Sequence, residues 1–180
     1  MNADMAVSAS LIDPNNLQAI ESFEKSFYTA YRNIEQQKLI RQIWVWDDKE
    51  ERIALRCPLE SSTIFAWLEN GIPSFYAVGT FDRTVFSQLD YYGFQKPEGV
   101  GHYCEVFTIY ATTNLEASIF EIEKIFLKPF CYEYAKEQGA TQLLATCSKA
   151  MLTLYKRWGW DVLDTKSIEG EERFFIQLTL

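Results

Sequence analysis

Apolar residues recur at three- and four-residue steps from Leu17 through Ile20, Phe23, Phe27 and Tyr31 to Ile34. That spacing draws one apolar stripe along a helix over about 15–38. Asp13-Pro14 just before it reads as an N-cap followed by proline at the first helical position. Residues 1–12 are mostly small or polar and are expected to be loose. Two short strand-like runs follow, Gln42–Trp46 and Ile53–Cys57, joined by the charged turn Asp47-Asp48-Lys49-Glu50-Glu51. Next, Thr63–Leu68 and Ser74–Phe81 flank Glu69-Asn70-Gly71, a hairpin pattern whose turn residues take positive φ. A helix over 61–69 is the competing reading of the first of these runs.

Residues 82–101 form a long connection carrying Gly, Pro and aromatic residues, suited either to cover a site or to cap the core. His102–Ala111 is the best central strand, with Tyr103, Glu105, Phe107 and Ile109 expected on one face. Thr113-Asn114-Leu115-Glu116 has capping-box spacing. The helix it opens carries Ile119, Ile122, Phe126, Phe130 and Tyr134 on one stripe, with Pro129 expected to kink or divide it and Gly139 to end it. A strand at Thr141–Thr146, a short helix at Lys149–Trp158 and strands at Trp160–Leu163 and Phe174–Leu178 complete the chain. This order predicts an α+β fold: a mixed, mostly antiparallel sheet with helices on its faces.

The composition narrows the function. The chain has 180 residues, a length that fits one domain, and its 48 % apolar content is enough for a full core. A net charge of −8 argues against a nucleic-acid binder. No apolar run approaches the about 20 residues of a membrane span, and the N-terminus lacks a signal-peptide pattern. Cys57, Cys104, Cys131 and Cys147 lack CxxC spacing, and His102 is the only histidine, so no metal site is expected. Together these features read as a cytoplasmic protein with reduced thiols.

The late segments Tyr134-Ala135-Lys136-Glu137-Gln138-Gly139, Leu143-Leu144-Ala145 and Leu154-Tyr155-Lys156-Arg157-Trp158-Gly159-Trp160 carry a family likeness. They resemble the closing half of the GNAT (GCN5-related N-acetyltransferase) superfamily. The Asn70-Gly71 hairpin before Val78-Gly79 resembles its middle strands. That family's usual coenzyme A loop is rich in glycine and cradles the pyrophosphate at a helix N-terminus. Here the matching region, Thr112 to Lys124, contains neither glycine nor arginine. The layout is therefore most similar to the acyl-homoserine lactone synthase and long-chain N-acyl amino acid synthase branch, although Val106-Phe107-Thr108-Ile109 does not reproduce that branch's Ser-Arg-Phe strand.

The resemblance implies a sheet splayed between two parallel strands, 103–111 and 141–147. It also implies an N-acyltransferase taking an acyl group, fatty in the reading preferred here, from acyl-CoA or an acyl carrier protein to an amine of a small molecule or peptide. Tyr155 would protonate the leaving thiolate, a role suited to a phenol of pKa ~10; its other reading is a core tyrosine. Glu105 is the candidate base if burial raises its pKa, and otherwise a charge that reaches water or a lysine. His102 is a second candidate base or a structural residue. The main chain of Ile109, Tyr110, Ala111 and Thr112 would pair with the donor's pantetheine arm, and Thr112, Thr113, Asn114 and Ser118 would meet its phosphates. Lys149, with Lys124, Lys128, Lys136 and Arg157, supplies positive charge for the donor or a carrier protein. Trp44, Trp46, Phe65, Trp67, Phe75 and Tyr76 form either core or an acyl groove. Two rivals remain: a non-catalytic GNAT-like module binding an apolar ligand, and an unrelated α+β domain. The enzyme reading expects Glu105 and Tyr155 to face one cleft between splayed strands.

Overall fold

A computed structural model describes residues 6–34 and 37–180. Seven strands form one sheet: β1 (Val7–Leu11), β4 (Thr63–Glu69), β5 (Ile72–Thr80), β6 (Tyr103–Ala111), β7 (Gln142–Ser148), β8 (Asp161–Ile168) and β9 (Glu171–Thr179), in the spatial order β1-β4-β5-β6-β7-β9-β8. All neighbours are antiparallel except β6 and β7. β2 (Val45–Asp47) and β3 (Arg52–Ala54) make a separate hairpin.

The two faces of the sheet are covered by different parts of the chain. On one face lie α1 (Leu17–Tyr31), α2 (Gln37–Ile43), the β2–β3 hairpin and the short α3 (Gln88–Tyr91). On the other lie α5 (Lys149–Arg157) and α4, which begins as a π-wound segment, Glu123–Tyr132, and continues as α-helix over Glu133–Glu137. The first face is built on aromatics: Phe27 stacks on Tyr110 with centroids 5.2 Å apart, and Phe23 meets Tyr76 edge-on at 5.4 Å. Each such buried ring contributes roughly 1.5–3 kcal/mol.

Several sequence expectations are redrawn. Of the residues expected to be loose, 1–5 lie outside the described residues, while Val7–Leu11 pairs with β4; the alternation Val-Ser-Ala-Ser-Leu is a period-two strand signal. The helix expected over 15–38 ends at Tyr31, and its N-cap is Asn16, whose side chain accepts the Ala19 amide. The strand expected at Gln42–Trp46 is mostly α2, whose buried Leu39, Ile40 and Ile43 also fit helical spacing. Thr113–Glu116 is not the capping box. That role falls to Ser118 and Glu121: the Ser118 amide donates to Glu121, and the Ser118 hydroxyl accepts from Phe120. Pro129 does not divide α4, which continues past it as a π-wound segment. The 63–81 hairpin forms as expected, with Asn70 and Gly71 at φ 53° and 78°.

The decisive local feature is a bulge in β6. Val78 pairs with Thr108 and Gly79 with Val106, so Phe107 is one extra residue. A bulge bends its strand and changes which way later side chains face. Phe107, Thr108 and Tyr110 thus turn toward α1, while Ile109 turns to the α4 side, away from the face it was expected to share with Glu105. Gly79 permits the close approach, since a Cβ there would lie 2.7 Å from the Glu105 carbonyl oxygen.

Candidate active site

β6 and β7 pair only from Tyr103↔Gln142 to Val106↔Ala145. Beyond that rung the strands diverge, where the bulge deflects β6. A cavity of about 340 Å³ fills the opening and reaches both faces of the sheet. Its walls are Phe107 to Ala111 from β6, Thr146 to Ser148 from β7, Met151, Leu154 and Tyr155 from α5, and Tyr31, Ile40, Ile43 and Trp44 from the α1–α2 side.

The backbone pattern gives the cavity a polar edge. Thr112 N–H donates to Ser74 O on the β5 side. Main-chain groups alternate sides along a strand, so those of Ile109 and Ala111 turn toward the opening. The carbonyl of Phe107 turns the same way and accepts from the Gln88 side-chain amide at 2.8 Å. Gln88 also accepts from the Thr146 hydroxyl of β7 at 3.3 Å, so its side chain bridges the two strands at the start of their divergence.

Tyr155 lies on the α5 side of this cavity, with its ring edge-on to Trp158 and Trp160 at 5.8 and 5.3 Å. Its hydroxyl makes no hydrogen bond to a described residue. Burial holds its pKa well above the ordinary phenol value, and neighbouring Tyr31, Cys147 and Tyr132 add to the effect. It is therefore a protonated donor throughout the neutral range. On the α1 side the Tyr31 and Thr108 hydroxyls bond at 2.7 Å.

The other expected residues are dispersed. Glu105 is 3 % exposed and lies outside the cavity. Its Oε1 accepts the amides of Gln88 at 2.7 Å and Leu89 at 3.1 Å, so it fixes the start of α3. Burial raises its pKa against the pull of Ser87, those amides and Lys96. Glu105 and Tyr155 thus do not face one cleft. His102 sits exposed at the closed end of the β6–β7 pair, its ring 6.3 Å from Phe81. Ile109, Tyr110 and Ala111 line the cavity, although the Tyr110 hydroxyl donates to Phe23 O under α1. Thr112 and Asn114 line a separate hollow between α1 and the start of β5. Ser118 caps α4, and Lys149 pairs with Glu172 at 2.7 Å. Lys128 and Lys136 are likewise paired, with Glu123 and Glu133. Of the six candidate groove aromatics, Trp44 and Phe75 reach the cavity. Cys147 lines it as well, but burial pushes its thiol up to about 11, so it is not a thiolate nucleophile. Sequence reasoning missed Gln88, Thr146 and Arg173; the last was visible as one cation before the apolar run Phe174-Phe175-Ile176.

No protein-family model matches the chain, and no curated protein matches it by sequence. Solved structures do match. FeeM, an N-acyl amino acid synthase from uncultured soil microbes, superposes with a TM-score of 0.63 at 16 % identity, over 99 % of this chain and 93 % of that one. The AHL synthase LasI gives 0.72 at 14 % identity, over 99 % and 91 %. A GNAT-family acetyltransferase from Streptococcus pneumoniae gives 0.62 at 11 % identity, over 97 % and 99 %.

The chain has the GNAT fold.

In this GNAT fold, the loop after the bulged strand runs from Thr112 to Glu121 into α4. Its amides would have to hold a diphosphate, and those of Asn114, Glu116, Ala117, Ser118 and Phe120 are already engaged. Glu69 at the end of β4, 3 % exposed, accepts the Glu116 amide at 2.7 Å and the Ala117 amide at 3.2 Å, and also the Trp67 indole at 3.2 Å. The Asn114, Ser118 and Phe120 amides are taken by Thr112, Glu121 and Ser118. A carboxylate of the chain itself thus sits on the anion-binding amides, and the loop does not fit a diphosphate. Burial would raise the Glu69 pKa, but the Glu116 amide, the Trp67 indole and the Ala117 amide outweigh it and hold it below the ordinary 4.5.

Glu69→Gln is accordingly expected to lower stability at pH 7 by about 2 kcal/mol, a fall of about 4–8 °C in Tm. Because the folded pKa is depressed, the carboxylate's contribution is full above its unfolded pKa and is lost as pH falls through the folded value. Melting curves of both proteins should therefore differ at pH 7 and converge toward pH 3. A constant gap would deny the charge its part.

Among the described residues no helix is long and apolar enough to cross a membrane, and no cluster of three or more His, Cys, Asp or Glu could hold a metal ion.

Proposed function

We propose that this protein is an N-acyltransferase, moving an acyl group from a pantetheine-linked thioester to an amine. The carrying observation is the cavity in the open β6–β7 pair, lined by Tyr155 from α5 and by Ile109 and Ala111 from β6. The likeness to acyl-transferring enzymes of the same fold supports this reading.

The pantetheine arm would lie along β6 and hydrogen-bond to Ile109 and Ala111. The amine lone pair attacks the thioester carbonyl carbon, so a C–N bond forms and the C–S bond breaks. The nitrogen releases a proton to solvent, and Tyr155 protonates the departing thiolate before regaining a proton from solvent. The apolar walls, with Ile40, Ile43, Trp44 and Met151, suit a fatty acyl chain. Since the Thr112–Glu121 loop does not fit a diphosphate, this reading places donor recognition in the arm and the acyl chain. It thus favours a donor in which the arm is carried by a protein over coenzyme A. With Lys128, Lys136 and Lys149 paired internally, a carrier would have to dock without most of the expected basic patch.

One observation favours the rival reading of a non-catalytic ligand-binding module: among the described residues no Asp, Glu or His lines the cavity. The two readings part in one experiment. Acyl-pantetheine, acyl-CoA and acyl-carrier protein of graded chain length are incubated with a panel of amines, and products are read by mass spectrometry. Transfer from pantetheine or carrier donors, with coenzyme A no better than pantetheine, is expected. Binding of acyl chains without transfer from any donor would leave the binding module.

A further inference from the structure

The seven-stranded sheet has two open edges, and they are built differently. β8 carries Asp161, Asp164 and Lys166, and its pairing with β9 slips between Val162 and Asp164. Charges and a bulge are common guards of an edge strand against further pairing. β1 has neither: no charged residue or proline lies between Ala6 and Ile12, and its register with β4 is unbroken. Ala6 O accepts from the Asn70 amide and the Ile12 amide donates to Ile64 O, so the main-chain groups of the even-numbered residues of β1 face β4. Those of Val7, Ala9 and Leu11 therefore point outward, and among the described residues no strand pairs with them. The Val7 and Leu11 side chains are 46 % and 44 % exposed, on the sheet face where Ala9 packs into the α4-side core.

We propose that β1 is a dimerisation edge, pairing antiparallel with β1 of a second copy of this chain about a two-fold axis at Ala9. Such a dimer is independent of the acyltransferase reading, since β4 and β5 separate β1 from the cavity strands. A second copy is the partner that the strand itself specifies. Val-Ser-Ala-Ser-Leu reads nearly alike in both directions, and an isologous contact sets a patch against itself. In this register Ala9 of one copy lies opposite Ala9 of the other, and Val7 opposite Leu11, so every outward amide meets an outward carbonyl. Apolar Val–Leu pairs form on the α4 side and Ser8–Ser10 pairs on the other. A net charge of −8 drives copies apart, and the uncharged β1 edge is where they approach with least repulsion. A specific interface buries at least about 1,000 Å², more than one short strand pair provides. α4 supplies the rest. Phe126 packs on Trp67, and Phe130 and Tyr134 pack on Phe65, which places the helix over β4. The axis runs normal to the sheet, so both α4 helices stand on one face. The two β4 strands would lie three strand spacings apart, about 14 Å, and helices about 10–12 Å across would nearly meet over the joined strands.

Sedimentation velocity on the full chain is the test. A monomer–dimer equilibrium is expected, with the dimer gaining between about 1 and 100 μM, as suits an interface at the small end of the range. Leu11→Lys, at an exposed position, should weaken association about 10-fold or more without lowering Tm. Thr165→Lys on the β8 edge should leave association unchanged. Cysteine pairing under mild oxidation reads the register. Ala9→Cys should crosslink to itself, since Cα atoms of a hydrogen-bonded pair lie about 5.5 Å apart, within disulfide reach. Val7→Cys should crosslink with Leu11→Cys faster than with itself. The native cysteines Cys57, Cys104, Cys131 and Cys147 are buried, so they serve as an unreactive background. A chain that stays monomeric to about 1 mM, a dimer indifferent to Leu11→Lys, or crosslinking of Thr165→Cys in place of Ala9→Cys would each overturn the proposal. The first of these would leave the edge to a strand of a different protein. The wild-type equilibrium and Leu11→Lys decide the matter if Ala9→Cys disturbs β1.

Discussion

Tyr155→Phe is expected to slow acyl transfer about 100-fold or more while leaving the fold and acyl-chain binding in place. A positioned general acid typically contributes 10²–10⁴-fold, and the Tyr155 phenol lies on the α5 wall of the cavity proposed to take the thioester. The substitution removes a hydroxyl with no hydrogen-bond partner among the described residues and retains the ring packed on Trp158 and Trp160. Stability should therefore change by no more than about 0.5 kcal/mol. Because burial raises the phenol pKa, Tyr155 stays protonated through the neutral range, and no loss of rate below pH ~9 should trace to it. Single-turnover rates across pH, alongside melting curves, check both halves. An unchanged rate would mean that the thiolate leaves unaided.

Glu105 gives the second large effect, and its two obvious substitutions should behave oppositely. Glu105→Ala leaves the buried amides of Gln88 and Leu89 without an acceptor and opens a void, at a cost of about 3 kcal/mol. In melting temperature that is a loss of about 6–12 °C. Transfer should fall with it, because α3 no longer holds Gln88 between the strands. Glu105→Gln keeps an oxygen for both amides, so transfer should remain within a few-fold of wild type. The carboxyl pKa is raised by burial, so its contribution to stability is full below the unfolded pKa and lost as pH rises through the folded value. The Gln variant should therefore be at least as stable as wild type at pH 7 and lose that advantage toward pH 4. A loss of about 100-fold in transfer by a well-folded Glu105→Gln would return Glu105 to the chemistry as a base.

The strands and helices with one clear period were legible in the sequence. The 63–81 hairpin followed from Asn70-Gly71, and the closing strand-helix-strand run from Gly139 and Gly159 as stops. What misled was local ambiguity. Leu39, Ile40, Ile43 and Trp44 satisfy helical spacing as well as a short strand, and tertiary burial chose the helix. The site was less legible because its geometry depends on pairing. Strict alternation put Glu105 and Ile109 on one face; one extra residue at Phe107 separates them, and only the register with Gly79 reveals it. The burial of Glu105 was foreseeable from its apolar neighbours, but not that backbone amides 17 and 16 residues earlier in the chain would claim it. Nor does sequence distance suggest that Glu69 meets the amides of Glu116 and Ala117.

Gln88 has a mechanical consequence. A glutamine side chain ends in the same chemical unit as a peptide bond, and here it donates to Phe107 O as a neighbouring backbone would and accepts from the Thr146 hydroxyl. Main chain of β6 is thus joined to a side chain of β7 through one amide. The sheet's two halves are held at a separation set by the length of that amide, like plates on a fixed spacer. The gap is built in during folding, so a ligand need not pry strands apart to enter. Residues that seat α3, well away from the walls, become the natural place to widen or narrow it.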